Sequence, residues 1–224
     1  GRARVAHRRN GQRQRGYSQV KKIAVFASGS GSDFQSIIDA NERERFCEIS
    51  LLVASKEGIY AIERAKKHGI GYIVRNKKDF PSVEAMYEDI IGELTRRGVD
   101  YVVLAGYLSM LGENFVRAFS DRIINIHPSL IPSFCGKGFY GLNVHRAAIE
   151  YGVKISGLTV HFVDEHYDSG AIILQRAVEV KEDDTPESLQ ARILEEEHRA
   201  LPEAVRLLTT GKIVKEGRKV KIIK

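Results

Sequence analysis

Short apolar runs alternate with amphipathic segments along the first part of the chain. The apolar runs have the length of strands and lie at residues 22–27, 49–54, 72–74, 101–105 and 122–126. Between them, apolar residues recur with helical spacing at residues 34–40, 59–68 and 82–97. Strands that alternate with helices predict a parallel sheet with right-handed crossover connections. The run YVVLA at 101–105 is apolar throughout, which is typical of a strand covered on both faces.

The last third of the chain has a different pattern. Segments 156–163 and 171–180 predict two strands joined by a polar loop, and therefore an antiparallel addition to the sheet. Residues 186–208 predict a long helix that Pro202 should kink or break. Residues 212–223 predict a terminal hairpin. The whole pattern predicts an α/β fold of Rossmann type, with a mostly parallel sheet, helices on both faces and a late antiparallel addition.

The composition is that of one globular domain, which we expect to occupy residues 21–224. The chain has 224 residues, of which 43% are hydrophobic and 29% charged, so it can bury a full core without disulfides or a metal. Its two cysteines, Cys47 and Cys135, lie far apart and favour a reducing cytoplasm. No apolar run approaches the roughly 20 residues that span a bilayer.

The net charge of +6 is concentrated at the amino-terminal end. Residues 1–20 contain no acidic residue and six arginines, at positions 2, 4, 8, 9, 13 and 15. This segment predicts a disordered tail, compatible with a transit peptide or, more simply, with an extension. A nucleic-acid-binding module would carry its basic residues across a folded face, and the remainder of this chain is near neutral, so we expect no nucleic-acid partner.

The loop after the first strand, SGSGSD at residues 28–33, has the composition of an anion site. Its glycines allow a close backbone approach, and the free amides of the following helix favour an anion. Phe34 stands where a dinucleotide fingerprint has its third glycine, so the loop suits a single phosphate better than a dinucleotide. A glycine turn in which Ser32 or Asp33 only caps the helix is the alternative.

A second group of polar residues follows the fifth strand. Asn125 and His127 are two residues apart, so on a strand they point the same way. An amide can donate to a developing oxyanion, and an imidazole can donate or transfer a proton. Asp168, in the late polar loop, would orient the imidazole and favour its charged form. The alternatives are a bystander histidine at a strand end and an aspartate that serves only in a turn.

Other titratable residues carry weaker predictions. Asp164, Glu165 and Asp168 do not match a calcium-binding loop, and we predict no metal site. Cys135 is a minor candidate for a nucleophile, since thiol catalysis needs a paired base and an oxyanion site. The remaining histidines of the late segments are interpreted as structural or surface residues; they are His145, His161 and His166.

Four segments resemble the phosphoribosylglycinamide formyltransferase family, a group of folate-dependent enzymes. They are IAVFASGSGSD at 23–33, LAGY at 104–107, NIHPSLIP at 125–132, and HFV at 161–163 with DSG at 168–170. The resemblance extends from about residue 22 to about residue 210, in order and at suitable spacing. The NIHPSL block with a later aspartate is specific to folate formyl transfer, although not to one acceptor.

The resemblance implies direct transfer of a formyl group from 10-formyltetrahydrofolate to the amine of glycinamide ribonucleotide, without a metal or a covalent enzyme intermediate. Asn125 and protonated His127 would stabilise the tetrahedral oxyanion, and Asp168 would hold His127 charged and oriented. The ribonucleotide would be bound by Gly31, Ser32, Asp33 and Glu197. The folate pocket would be lined by Leu108, Ser109, Met110, Leu111, Asn125, Asp164, Glu165, His166, Tyr167 and Asp168.

The resemblance also implies that the partners are small-molecule substrates, with no membrane and no nucleic acid, and that the chain is a monomer or a homodimer.

Several positions depart from the family pattern. Asp33 stands where asparagine is usual, and Val83 and Ser109 replace basic residues of the folate pocket. Leu194 replaces a polar ribonucleotide contact, and the loop at 135–141 is longer than in compact members.

Three related activities are the alternatives. A hydrolase of 10-formyltetrahydrofolate would use water as the acceptor and usually carries an amino-terminal regulatory domain, which we do not expect before a core that begins near residue 22. Methionyl-tRNA formyltransferase carries an additional carboxyl-terminal domain, which we also do not expect. A sugar-nucleotide formyltransferase is the third.

Overall fold

The computed structural model of the chain describes residues 19–166 and 168–223. The strands are β1 (Lys22–Ala27), β2 (Glu48–Ala54), β3 (Tyr72–Val74), β4 (Tyr101–Leu104), β5 (Ile123–His127), β6 (Ile155–Phe162), β7 (Ile172–Glu179), β8 (Ile213–Glu216) and β9 (Lys219–Ile222). The helices are α1 (Ser32–Glu44), α2 (Tyr60–Lys67), α3 (Val83–Arg96), α4 (Glu113–Ala118), α5 (Leu142–Tyr151) and α6 (Pro186–Thr209), with a 3-10 helix at Lys77–Asp79.

Seven strands form one sheet in the order β3-β2-β1-β4-β5-β6-β7. Strands β1 to β5 are parallel to their neighbours, whereas β6 is antiparallel to β5 and β7 is antiparallel to β6. Strands β8 and β9 form a separate hairpin. The predicted mostly parallel sheet, its late antiparallel addition and the terminal hairpin are therefore confirmed.

Helices cover both faces of the sheet, as predicted. The alternation of β1 divides its side chains between two cores: Ile23 and Val25 face α1, α2 and α6, whereas Ala24 and Phe26 face α3 and α4. The fully buried residues of the second core reach along the sheet as far as Ile123 of β5. Beyond that point this face of β5 and β6 meets loops, which leaves room for polar side chains.

Two details differ from the sequence-based prediction. Helices α4 and α5 were not predicted. No break occurs at Pro202, because α6 continues through it to Thr209. Proline removes one helical hydrogen bond, but Pro202 and its neighbours Leu201 and Ala204 are buried in the core, and this packing offsets the loss.

Two further predictions can be compared with the structure only over the described residues. The predicted amino-terminal tail, residues 1–20, lies outside them except for its last two residues. Within the described ranges no helix is both long enough and apolar enough to cross a bilayer.

Candidate active site

The pairing of β5 with β6 gathers three polar side chains on one face of the sheet. Ile124 and Ile126 of β5 belong to the core under α1 and α6, so Asn125 and His127 point to the opposite face. The register places Asn125 opposite His161 of β6. Cross-strand partners lie side by side on the same face, and the Nδ2 atom of Asn125 is 3.2 Å from the Nε2 atom of His161.

Asp168 completes this group from the loop between β6 and β7. One of its carboxylate oxygens lies 3.8 Å from Nδ1 of His127, and the other lies 3.7 Å from Nε2 of His161. The backbone N–H of Gly136 donates to the Asp168 carboxylate at 2.9 Å. The trio predicted from the sequence is therefore brought together, with the carboxylate between the two imidazole rings.

A glycine at position 170 is needed for the loop to bring Asp168 back over the sheet. A Cβ atom added to Gly170 would lie 1.7 Å from the carbonyl oxygen of Phe162, far inside van der Waals contact. Asp168 itself has a φ of 48°, a left-handed conformation that aspartate tolerates better than most residues. Asp168 is therefore held by its backbone as well as by Gly136.

The hydrogen bonding of His127 determines where its protons lie. Its Nε2 atom is 2.9 Å from the carbonyl oxygen of Phe134. A carbonyl only accepts, so Nε2 carries a hydrogen and the neutral ring has its lone pair on Nδ1. A second proton at Nδ1 would point toward Asp168 and the cavity. His127 thus presents Nδ1 to Asp168 and the cavity while Nε2 stays bound to Phe134.

Of the two interpretations of His161, as a structural or as a surface residue, its burial supports the structural one. His161 is buried, and its Nδ1 atom must donate to the carbonyl oxygen of Phe162 at 2.8 Å. Burial lowers the pKa of His161, so the ring is neutral and its Nε2 atom accepts a hydrogen from Asn125. His161 therefore fixes the orientation of the Asn125 amide and leaves the second amide hydrogen free.

The other two histidines of that group differ from each other. His145, on α5, is buried and lines the same cavity, and burial lowers its pKa to about 4. It is therefore neutral at physiological pH, and the surface interpretation is wrong for it. His166 is exposed and also lines the cavity.

The glycine loop leads into α1 with a free helix terminus. Gly31 is the residue before the first turn, has a φ of 71°, and no side chain caps the helix. The alternative in which Ser32 or Asp33 caps α1 is therefore wrong, and the first amides of the helix remain available to an anion. A Cβ atom added to Gly31 would lie 2.7 Å from Cβ of Ala61, because the loop packs against α2.

An apolar wall faces this loop across the site. Leu108 and Met110 are 66% and 63% exposed, and both line the cavity. Tyr87 of α3 holds their segment in place. Its hydroxyl lies 3.1 Å from the Tyr107 hydroxyl and donates to the Met110 carbonyl at 2.9 Å. The backbone N–H of Leu108 donates to Ser28 of the first loop at 2.9 Å. The two loops therefore hold each other in place.

One cavity of about 1010 Å³ connects all these features. The predicted residues that line it are Ser32, Asp33, Leu108, Ser109, Met110, Leu111, Asn125, His127, Asp164, Glu165, His166, Asp168 and Glu197. Gly31 does not line the cavity and acts through the shape of the loop. Tyr167 lies outside the described residues. Sequence reasoning missed the lining residues Gln190, on the predicted helix α6, and Tyr140, in the loop before α5, because no motif marks either of them.

Two other sequence-based predictions concern the chemistry of the site. Burial raises the pKa of the Cys135 thiol, and its sulfur contacts the carbonyl oxygen of Pro132 instead of a base. A raised pKa disfavours the thiolate, so a nucleophilic Cys135 is not supported. In the described part of the chain, no group of three or more His, Cys, Asp or Glu side chains has the arrangement needed to hold a metal ion.

The sequence matches the model of the formyl transferase family over residues 21–205. The chain therefore belongs to the formyl transferase family.

Within that family the chain is similar to phosphoribosylglycinamide formyltransferases. It is 45% identical over 196 residues to the chloroplastic phosphoribosylglycinamide formyltransferase of Vigna unguiculata, a match that covers 87% of this chain and 62% of that protein. It is 39% identical to phosphoribosylglycinamide formyltransferase of Bacillus subtilis (strain 168), and the match covers 84% of this chain and 95% of that protein. The chain thus spans less than two thirds of the Vigna relative.

A crystal structure of glycinamide ribonucleotide transformylase 1 from Symbiobacterium toebii has the same fold. The TM-score is 0.86 at 42% identity, and the match covers 92% of this chain and 95% of that one.

Proposed function

We propose that this protein transfers the formyl group of 10-formyltetrahydrofolate to the amine of glycinamide ribonucleotide, a step of purine synthesis. The observation that carries the proposal is the position of the trio. Asn125, His127 and Asp168 lie in one cavity between an uncapped helix terminus and an apolar wall. The uncapped helix terminus suits the phosphate of a ribonucleotide, and the apolar wall suits the pterin ring of a folate. The matched relatives bear the names of this activity.

The attack step would proceed without a covalent enzyme intermediate. The amine nitrogen of the ribonucleotide forms a bond to the formyl carbon, and the carbonyl electron pair moves onto oxygen. The free Nδ2 hydrogen of Asn125 and a hydrogen at Nδ1 of His127 would donate to that oxyanion. The Asp168 carboxylate lies 3.8 Å from Nδ1 of His127 and would orient the imidazole ring for this role.

The second step would release tetrahydrofolate. The electron pair of the oxyanion reforms the carbonyl, and the bond between carbon and N10 of the folate breaks. The amine loses a proton and N10 gains one, so protons balance overall. Asp168 is placed to hold a water molecule that relays this proton, because its carboxylate lies at the cavity and is 16% exposed. The products would be formylglycinamide ribonucleotide and tetrahydrofolate.

Other aspects of this function stay predictions. The cosubstrate would be 10-formyltetrahydrofolate, with no metal and no nucleic-acid or membrane partner. A monomer or homodimer is expected. A cytoplasmic location is supported by the two unpaired cysteines, Cys47 and Cys135.

A turnover assay tests the proposal. The protein would receive 10-formyltetrahydrofolate with and without glycinamide ribonucleotide, and tetrahydrofolate release would be followed spectroscopically. We expect turnover only with the ribonucleotide, and a loss of about 10²- to 10³-fold in kcat for Asn125→Ala, the magnitude typical of one oxyanion donor. His68→Gln, a change of a histidine at the carboxyl end of α2 and outside the cavity, is the control. Turnover without the ribonucleotide would indicate the hydrolase instead.

A further inference from the structure

Two buried carboxyl groups face each other beside the phosphate loop. Asp33 lies in the first turn of α1 and Glu197 lies on α6; they are 9% and 7% exposed. Helices α1 and α6 pack against each other, and this packing brings the two carboxyl groups close enough for the charge of Asp33 to act on Glu197. Both line the substrate cavity.

Two buried carboxyl groups that lie close together oppose each other's ionisation, because burial removes the water that would screen their repulsion. Burial raises the pKa of Asp33, and burial together with the charge of Asp33 raises the pKa of Glu197 well above its ordinary value. The raised pKa makes Glu197 the group that holds the first proton of the pair. The remaining negative charge belongs to both groups together.

The free oxygen of the pair is poised for another proton. Among the described residues, Oδ1 of Asp33 is buried without a hydrogen-bond partner. Nε2 of His198, on α6, is likewise buried and unpartnered and lies 3.7 Å from that oxygen. From α2, Arg64 donates instead to Ser30 and to Gln35. No arginine or lysine of the described residues therefore neutralises Asp33.

The rest of the cavity adds to the negative potential. The acidic residues that line it are Asp33, Glu113, Asp164, Glu165, Asp168 and Glu197, and the cationic side chain that lines it is Lys137. From β5, α5 and β6, the titratable groups facing the cavity are His127, His145 and His161. A phosphate dianion placed at the α1 terminus therefore meets an unfavourable charge at Asp33, at a short distance and in a partly dry site.

We propose that the Asp33–Glu197 pair takes up a second proton when the phosphate end of the ribonucleotide binds. The inference rests on the proposed function, which places that phosphate at the α1 terminus. The added proton would sit on the buried Oδ1 atom of Asp33, which faces His198, and would remove the negative charge that repels the phosphate. No bond of the substrate is made or broken, and the proton comes from solvent.

His198 provides the route by which that proton arrives. Its inner nitrogen faces Asp33, while the side chain is 35% exposed and lines a second groove of about 280 Å³ between α1 and α6. That groove opens on the surface beside Arg43, Arg199 and Arg206. His198 thus connects the pair to solvent on the side that the substrate does not cover. It is a positioning and proton-transfer residue for binding, since it does not line the main cavity.

The affinity for the phosphate should decrease as the pH rises. The phosphate-binding form of the pair is the doubly protonated one, so affinity is fully present below the pKa of the free pair. It falls as the pH rises through that pKa, by up to tenfold per pH unit when a single proton is coupled to binding.

Calorimetry with ribose 5-phosphate tests the inference independently of formyl transfer. Binding would be measured at one pH in buffers of different ionisation enthalpy, which gives the number of protons taken up. The variants are Asp33→Asn with Glu197→Gln combined, and Glu195→Gln as a matched control for an exposed carboxylate on the same helix. The ligand's own phosphate titrates equally in all of them. Thermal unfolding would verify that each variant is folded.

We expect wild type and Glu195→Gln to take up more protons than the double variant, by up to one per site. Equal proton uptake in wild type and double variant, or no binding of ribose 5-phosphate to wild type, would overturn the inference. The transfer assay separates the two proposals. Missing formyl transfer together with proton-linked ribose 5-phosphate binding would refute the transferase and leave the carboxyl pair as described.

Discussion

Replacing His161 tests whether the orientation of Asn125 limits catalysis. His161 uses Nδ1 to donate to Phe162 and Nε2 to accept from Asn125. The change His161→Asn keeps a donor near the position of Nδ1 and removes the acceptor at Nε2. The change His161→Gln places an amide near the position of Nε2 and serves as the matched control.

The magnitude follows from what is lost. One net hydrogen bond contributes about 0.5–1.5 kcal/mol, and about 1.4 kcal/mol corresponds to tenfold in rate. We therefore expect His161→Asn to lower kcat by about 2- to 10-fold through this hydrogen bond. Complete loss of the Asn125 donor, about 10²- to 10³-fold, is the upper limit. The KM for either substrate should change little, since His161 acts on the oxyanion through Asn125.

Steady-state kinetics on five proteins would provide the measurement: wild type, His161→Asn, His161→Gln as the control, Asn125→Ala, and the combined His161→Asn and Asn125→Ala variant. If His161 works by orienting Asn125, the two changes are not additive, and the coupling energy should lie in the range of about 0.5–3 kcal/mol found for residues in contact. Additive effects would show that His161 acts elsewhere. An unchanged kcat in folded His161→Asn would refute the reasoning outright.

Three further predictions follow from other contacts. Gly31→Ala should raise the KM for the ribonucleotide and lower the free energy of unfolding by about 1–3 kcal/mol in urea titrations, because its Cβ would press against α2 in a left-handed backbone conformation; unchanged values would contradict the close packing. Tyr87→Phe should raise the KM for 10-formyltetrahydrofolate by loosening Met110, with kcat at saturation retained as the internal control. Arg192 lowers the pKa of Asp184 far below its ordinary value. This ion pair therefore stabilises the fold fully at pH values above the ordinary aspartate pKa, and the stabilisation is lost as the pH falls through the lowered pKa of Asp184. The melting temperature of Asp184→Asn should therefore fall near pH 7 and converge with wild type in acid, and a constant difference across pH would contradict this linkage.

Local patterns in the sequence were sufficient to predict most of the sheet. The bounds of β1 and β3 were predicted as observed, because each is a compact apolar run between glycines or polar residues. Helix α4 was missed because it has only six residues, too few to show a helical period. The continuation of α6 through Pro202 depends on burial against other elements, which local propensity does not contain.

The site was predictable only where its residues are close in sequence. Asn125 and His127 share a strand, and their spacing alone places them on one face. His161 joins them through the β5–β6 register, and it was missed because that register pairs two strands that lie far apart in sequence. The contact of Asp33 with Glu197 depends on the packing of α1 against α6, which no local pattern reveals.

The way His127 and Asp168 are held has a consequence for how this enzyme could diversify. Both receive their support from main-chain atoms of one loop, the carbonyl of Phe134 and the N–H of Gly136. Side chains of that loop, such as Lys137 and Tyr140, face the cavity without carrying this support. Their identity can therefore be exchanged, by evolution or by design, to admit a different acceptor while the reaction centre keeps its geometry, provided that the backbone path of the loop is preserved.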